Sequence, residues 1–253
     1  MPMNITQTFY DSMATHYDKL FQDWQATTRE QAVVLDRLIR EQGMDTNASL
    51  LDCACGIGTQ AIGLAGIGYN VTASDLSAGE LAEARKRAAQ NNVSIRFKRA
   101  DFCALSETFP KRFEVIICMD NALPHMLTHS DLEAALRSIV GQLAPGGLFI
   151  ASIRDYDALL QTKPPYSPPY IHQTGKGQRV SFQTWAWQEE TYRLTQYIIE
   201  DEESLTISKF DCEYRAIRRQ ELTELLFAQG CTRVEWRRPE ETGFYQPIVV
   251  AVK

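Results

Sequence analysis

Between residues 49 and 153, short apolar runs alternate with longer stretches whose apolar residues recur at helical spacing. Ser49 to Ala54, Asn70 to Ser74, Val93 to Arg99, Phe113 to Cys118 and Leu148 to Ile153 read as strands. Thr59 to Ala65, Ser77 to Asn91 and Ser130 to Leu143 read as helices. Ser77 with Glu80, and Ser130 with Glu133, have the spacing of capping boxes. Leu132, Ala135, Leu136, Ile139 and Leu143 line one face of the third helix, and Pro145, Gly146 and Gly147 are positioned to stop it. Strands alternating with helices at this spacing predict an α/β fold, a parallel sheet with helices on both faces.

The flanks differ from this centre. Phe9, Met13, Tyr17, Phe21 and Trp24 form a helically spaced stripe, and Thr27 or Thr28, with Glu30 or Gln31, opens a helix through Leu35, Leu38 and Ile39 that stops near Gly43. Residues 1–48 are therefore expected to be an N-terminal helical unit. After Pro164, Pro165, Pro168 and Pro169 the pattern becomes alternation of polar and apolar residues over Val180 to Trp187, Tyr192 to Glu200 and Leu205 to Ala216, with polar turns at Glu189-Glu190 and Asp201 to Glu203. This predicts an antiparallel three-stranded lid within 161–216. A helix (Gln220 to Gln229) and two strands (Cys231 to Trp236, Gln246 to Val252) then return the chain to the core, which spans 49–160 and 217–253.

The net charge of -6 and the scattering of Lys and Arg into short runs argue against a nucleic-acid partner, because a phosphate backbone is held by many positive charges at once. No apolar run is long enough to span a bilayer, and Met1 to Thr8 lack an apolar signal core. The six cysteines contain no C-x-x-C pair, so a zinc ribbon is not expected and no metal site is predicted; they read as reduced core residues of a cytoplasmic protein. The expected partner is a small molecule, and no feature fixes an oligomeric state.

The segment Leu51-Asp52-Cys53-Ala54-Cys55-Gly56-Ile57-Gly58-Thr59-Gln60 carries the strongest chemical signal. It follows a strand and opens a helix, at the carboxyl edge where such sheets bind ligands. Gly56 and Gly58 can adopt positive φ and present no Cβ to a ligand. Gly56-x-Gly58-x-x-Ala61 fits a dinucleotide fingerprint, and Asp75, ending the second strand, could accept from ribose hydroxyls of NAD or of S-adenosylmethionine. Asp52 discriminates: a carboxylate beside the loop repels a pyrophosphate and tolerates an ammonium or sulfonium. Asp101-Phe102, after the third strand, could accept from an adenine amino group and cover its ring. The chain shows no second dinucleotide half, which argues against an NAD-dependent oxidoreductase. Retention of the loop, Asp75 and Asp101 argues against a non-catalytic interaction protein.

In this order the motifs resemble the Rossmann-like S-adenosylmethionine-dependent methyltransferases and, more narrowly, the glycine/sarcosine N-methyltransferases. The narrower resemblance rests on Val115 to His125, with Asn121 four residues before His125; on Leu143 to Gly147 followed by Arg154-Asp155-Tyr156-Asp157; on Tyr214 with Leu222 to Leu225; and on Tyr245-x-Pro247. Asp120 stands where that family carries a small residue. The resemblance implies methyl transfer from S-adenosylmethionine. Its cofactor site would take Ala54, Gly56, Gly58 and Met119 around the methionine part, Asp75 and Leu76 at the ribose, Asp101 and Phe102 at the adenine, and His125 in the wall. Tyr17, Trp24 and Arg29 would close over it from the N-terminal unit.

The same resemblance implies that Asn121 and Arg154 grip a substrate carboxylate, while Tyr214 and Tyr245 wall the acceptor site. Bland alternatives stand beside these: Arg154 paired with Asp155 or Asp157, His125 as a hydrogen-bonded structural histidine, Tyr17 and Trp24 as helix core, and Trp185 and Trp187 as a packed strand face. A glycine- or sarcosine-like amine is the expected acceptor, with another small amine, a carboxylate or a hydroxyl as the alternative.

Overall fold

The computed structural model describes residues 5–175, 177–201 and 204–253, so residues 1–4 of the N-terminal unit and most of the turn expected at Asp201 to Glu203 lie outside the described residues. Helices α1 (Ile5–Met13) and α2 (Trp24–Glu41) precede a central run of β1 (Ser49–Asp52), α3 (Thr59–Ile67), β2 (Asn70–Asp75), α4 (Ala78–Gln90), β3 (Arg96–Arg99), α5 (Leu105–Thr108), β4 (Phe113–Cys118), α6 (His129–Gly141) and β5 (Leu143–Ser152). Then come α7 (Tyr156–Thr162), the strands β6 (Tyr170–Gln173), β7 (Gln178–Gln188), β8 (Thr191–Asp201) and β9 (Leu205–Arg215), and finally α8 (Arg219–Ala228), β10 (Arg233–Arg237), α9 (Pro239–Thr242) and β11 (Ile248–Val252).

One seven-stranded sheet has the order β10-β11-β5-β4-β1-β2-β3. Strands β1 to β5 are parallel, and β11 lies antiparallel between β5 and β10. The α/β expectation is met. Side chains of a strand alternate between faces, so a strand buried on both sides feeds two cores. In β4, Val115 and Ile117 join α2 and α3 in one core, while Ile116 and Cys118 join α6 and α8 in the other. The pairs Leu50/Leu51 of β1 and Phe149/Ile150 of β5 divide in the same way. Against the first face, α3 crosses α2 at Gly63, where an added Cβ would lie 2.5 Å from the Thr28 carbonyl oxygen.

Local chemistry shifted several boundaries. Helix α2 begins three residues before Thr27, capped by Asp23, whose carboxylate accepts from the Ala26 N–H at 2.9 Å. Thr128, not Ser130, caps α6 by accepting from Asp131 N–H. Ser77 caps α4 as expected, but Glu80 does not complete the box: it is fully buried and its carboxyl oxygens have no hydrogen-bond partner. Pro145-Gly146-Gly147 does not stop a helix. It lies inside β5, beside a register shift against β4, with Gly146 at φ 71.

The insertion forms a four-stranded antiparallel sheet, β6-β7-β8-β9, one strand more than expected. The extra strand is β6, four residues directly after Pro168-Pro169, where a short segment gives no alternation to read. Register places Gln183, Gln196 and Phe210 in one row, Trp185, Leu194 and Cys212 in the next, and Trp187, Tyr192 and Tyr214 in a third. These rows share the face of the sheet turned toward the carboxyl edge of β4 and β5. The N-terminal unit ties the two sheets together. Asp11 of α1 accepts from the Ser77 hydroxyl at 2.5 Å and the Gly79 N–H at 2.9 Å at the start of α4, and Lys19 pairs with Glu200 of β8 at 2.6 Å. None of the described helices is long and apolar enough to cross a membrane.

Candidate functional site

Two cavities open at the carboxyl edge of the parallel strands. The first, about 490 Å³, runs from the loop after β1 to the ends of β2 and β3. Gly56 adopts φ 50 and Gly58 φ 93, the left-handed region that favours glycine, so the chain turns tightly between β1 and α3. Asp75 holds the turn: one carboxylate oxygen accepts from the Gly56 N–H at 2.8 Å and the other from the Ser77 N–H at 2.9 Å. Burial raises the Asp75 pKa, against the lowering effect of these backbone hydrogen bonds.

Asp52 is 1% exposed and lies beneath the loop rather than in the cavity wall, with its carboxylate accepting from the Ala54 N–H. Burial pushes its carboxyl well above the usual range. Its link to a ligand is therefore through the backbone it positions, not through direct charge contact.

Of the cofactor candidates, Tyr17, Ala54, Gly56, Asp75, Leu76, Asp101, Phe102, Met119 and His125 all line this first cavity. Three do not. Gly58 serves the turn: a Cβ there would meet Ile62 at 2.9 Å. Trp24 is buried behind the loop, donating to the Thr59 hydroxyl at 3.0 Å with the Arg87 guanidinium over its ring. Arg29 is exposed on the outer face of α2. Trp24 packs the helix onto the core and Arg29 faces solvent, so neither side chain reaches the cavity.

The second cavity, about 1160 Å³, lies between this edge and the inner face of the four-stranded sheet. Asn121, Arg154, Tyr214 and Tyr245 all line it. Asn121 is 3% exposed, and its carbonyl oxygen accepts from the Arg154 N–H and the Tyr156 hydroxyl, each at 3.0 Å. The Arg154 guanidinium donates to Tyr192 at 2.6 Å and Gln183 at 3.0 Å, and lies over the rings of Trp185 and Tyr214. Asp155 and Asp157 do not neutralise it; they pair with Arg219, at 3.5 and 2.7 Å. Trp185 is thus a working wall of the cavity as well as a packed strand residue, whereas Trp187 lies outside it.

The cavities share Tyr10, Tyr17 and Asp120. Tyr10 was not legible as a site residue because it sits one position off the buried Phe9-Met13 stripe; that offset turns it toward the cavities. Its hydroxyl contacts His125 Nε2 at 2.9 Å and the Tyr214 hydroxyl at 3.4 Å. His125 Nδ1 faces the Glu213 carbonyl at 3.3 Å. A neutral ring satisfies both contacts by donating from Nδ1 and accepting at Nε2. Burial drives the His125 pKa down to about 3. The histidine is both structural and part of the wall.

A consequence follows for stability. Below its ordinary value of 6.5, the unfolded chain takes a proton at His125 that the folded chain does not take until about 3. This term leaves stability intact above pH 6.5 and lowers it as the pH falls. We expect wild type to lose about 2 kcal/mol relative to His125→Gln between pH 7 and pH 5. Urea unfolding of both proteins measures it, and a pH-independent difference would contradict a neutral buried ring.

Residues 50–147 match a methyltransferase domain family. The chain is 30% identical over 155 residues to a glycine/sarcosine N-methyltransferase of Parasynechococcus marenigrum, covering 61% of this chain and 54% of that protein. It is 29% identical over 153 residues to the human glycine N-methyltransferase, covering 55% and 51%. The chain thus spans about half the length of the curated relatives it matches. Among solved structures, the fold is similar to the sugar N-methyltransferase KedS8 from Streptoalloteichus, with a TM-score of 0.75 at 16% identity over 94% of this chain and 92% of that one. A methyltransferase from Clostridium acetobutylicum gives 0.73 at 18% identity over 96% and 97%. The matched residues supply most of the lining of the first cavity, joined by Tyr10, Tyr17 and Glu213 from outside the match, whereas most of the second is lined by residues outside it.

Proposed function

We propose that the chain is an S-adenosylmethionine-dependent methyltransferase acting on the amine of a small amino-acid-like acceptor. The observation that carries this reading is the meeting of two cavities at Tyr10, Tyr17 and Asp120, one built on the glycine loop and one holding a half-buried guanidinium without a carboxylate partner. In this reading Asp75 takes the ribose, since each of its oxygens keeps a lone pair beyond the backbone hydrogen bond it accepts. Asp101 and Phe102 take the adenine, and Ala54, Gly56 and Met119 flank the methionine part. When bound, S-adenosylmethionine supplies a sulfonium-activated methyl group, open to in-line displacement.

The protein's own contribution is alignment. Holding an acceptor nitrogen about 3–3.5 Å from the reacting carbon in a near-attack geometry is worth roughly 7–11 kcal/mol. Arg154 would fix the acceptor through its carboxylate, with Asn121 holding the backbone from which Arg154 projects. Tyr10, Tyr17 and the sheet above exclude water from the junction. The N-terminal unit and the four-stranded insertion are read as the two closures of the site.

The test is incubation with isotopically labelled S-adenosylmethionine and a panel of amines, acids and alcohols, read by mass spectrometry. Label on an amine of an amino acid supports the proposal. Label on a hydroxyl or carboxylate overturns the amine assignment, and failure to bind S-adenosylhomocysteine overturns the methyltransferase reading.

A further inference from the structure

Asp120 is a carboxylate without a cation. It ends the run after β4 at φ 57, followed by Asn121 at φ 68, two consecutive residues in the left-handed region. Asp and Asn are the non-glycine residues that most readily adopt this conformation. Here it directs the side chain to the one place where the two cavities join. The carboxylate accepts from Gln60 Nε2 at 2.7 Å and from the Tyr245 hydroxyl at 2.8 Å, both neutral donors. Among the described residues no Lys, Arg or His forms an ion pair with it. Burial raises its pKa, opposed by the Gln60 and Tyr245 hydrogen bonds.

The same cavity holds the complementary anomaly, the Arg154 guanidinium, also without an opposite charge. The two do not bond to each other. Both groups are half-buried, and holding two partly desolvated charges without counter-charges is unfavourable, so a ligand carrying one charge of each sign would relieve both. The cavity that both groups line is large. At about 1160 Å³ the cavity exceeds the roughly 300–1,000 Å³ that holds a drug-sized ligand, far more than glycine or sarcosine fills. Phe21, Tyr166, Phe182, Trp185 and Leu194 give its walls an aromatic and apolar part, beside polar and charged lining residues such as Gln183, Gln196, Arg238 and Glu240.

Building on the proposed methyl transfer, we infer that the acceptor is a zwitterionic amino acid with a bulky apolar or aromatic body, its ammonium docked on Asp120 and its carboxylate on Arg154. Asp120 then has two tasks. It selects an amine over a hydroxyl at the junction, and it takes the ammonium proton before reaction. The freed nitrogen lone pair forms the bond to the methyl carbon, the carbon–sulfur bonding pair goes to sulfur, and the product leaves as a methylated ammonium. The proton on Asp120 passes to water as the product departs. Charged and titratable groups around the carboxylate bear on this step: Tyr245 and Tyr17 face it, Asp52 lies within electrostatic reach beneath the loop, and Arg154, Asp155, Arg219, Arg238 and Glu240 share its cavity.

The test is calorimetric binding in the presence of S-adenosylhomocysteine, so that no turnover occurs. The probes are L-phenylalanine, its des-amino analogue 3-phenylpropionate, and glycine. Wild type is expected to bind phenylalanine at least about 10-fold more tightly than either of the others. Asp120→Asn and Asp120→Gly both suit φ 57, and either is expected to erase the preference for phenylalanine over 3-phenylpropionate while keeping the preference over glycine. Their circular dichroism spectra and cooperative thermal unfolding should match wild type, which reports that they fold. In turnover, the acidic limb of the pH–rate profile should change in both variants. Glycine binding as tightly as phenylalanine would overturn the size inference. A preference for the amine that survives both substitutions would overturn the role of Asp120. Either result with S-adenosylhomocysteine still bound leaves the methyltransferase reading standing, whereas loss of that binding in wild type would overturn both.

Discussion

An Asp75→Ala variant is expected to bind S-adenosylhomocysteine at least about 100-fold more weakly than wild type. Two separate losses add. The carboxylate is the acceptor for the Gly56 and Ser77 N–H groups, so its removal leaves two backbone donors without partners beside a cavity. Each orphaned donor costs about 1–3 kcal/mol, and the glycine turn loses the contact that fixes it to β2. The proposed ribose hydrogen bonds disappear as well. Together these terms exceed the roughly 2.7 kcal/mol that a 100-fold change requires. Asp75→Asn should fall between the two, because its amide oxygen still accepts from one of the N–H groups while its NH₂ opposes the other. Titration calorimetry separates the three proteins. An alanine variant within a few-fold of wild type would mean that the first cavity is not built around Asp75.

The parallel sheet was legible because its information is local and periodic. Strands β1, β2 and β4 and their helices each carry an apolar pattern that no other packing would satisfy, and the glycine turn needs two residues at positive φ separated by a single residue in sequence. The cofactor candidates on that edge were legible for the same reason: Ala54, Asp75 and Asp101 each end or follow a strand. What the sequence concealed is relational. Tyr10 meets His125 across 115 residues and Tyr214 across 204, so nothing near Tyr10 announces its partners. Trp24 fits the aromatic stripe as well as Tyr17 does, and only the way the helix unit docks decides that one faces the cavity and the other the core. Strand β6 was hidden by brevity, and Pro145-Gly146-Gly147 by the double meaning of glycine, which ends helices and also permits a bulge. Asp52 showed its position but not its depth: acid beside a glycine loop suggests a charge contact, whereas burial makes it a support for the Ala54 backbone.

Arg154→Ala is expected to raise the Michaelis constant for the acceptor by roughly 10- to 100-fold, with a smaller change in kcat. Of the five N–H donors of the guanidinium, two are engaged by Tyr192 and Gln183, leaving three for a ligand. The engaged pair is itself fixed: Gln183 donates to Gln196 at 2.9 Å, and Tyr192 contacts the Tyr156 hydroxyl at 2.9 Å. A charge held this way, over the rings of Trp185 and Tyr214, costs little further ordering when a carboxylate arrives. A hydrogen bond to a charged group contributes about 1.5–3 kcal/mol, which sets the expected range. Most of that interaction exists before and during reaction alike, so it should be read in the Michaelis constant more than in kcat. Arg154→Lys should recover little, because an ammonium cannot reproduce the planar fork or the stacking. Folding provides an internal control. Because the half-buried guanidinium also holds the Tyr192 hydroxyl and Gln183, the alanine variant is first checked for a wild-type circular dichroism spectrum and S-adenosylhomocysteine binding. An unchanged Michaelis constant in a fully folded alanine variant would show that the acceptor carries no anion at this position, and would move the search for its anchor to Gln183 and Gln196 on the sheet above.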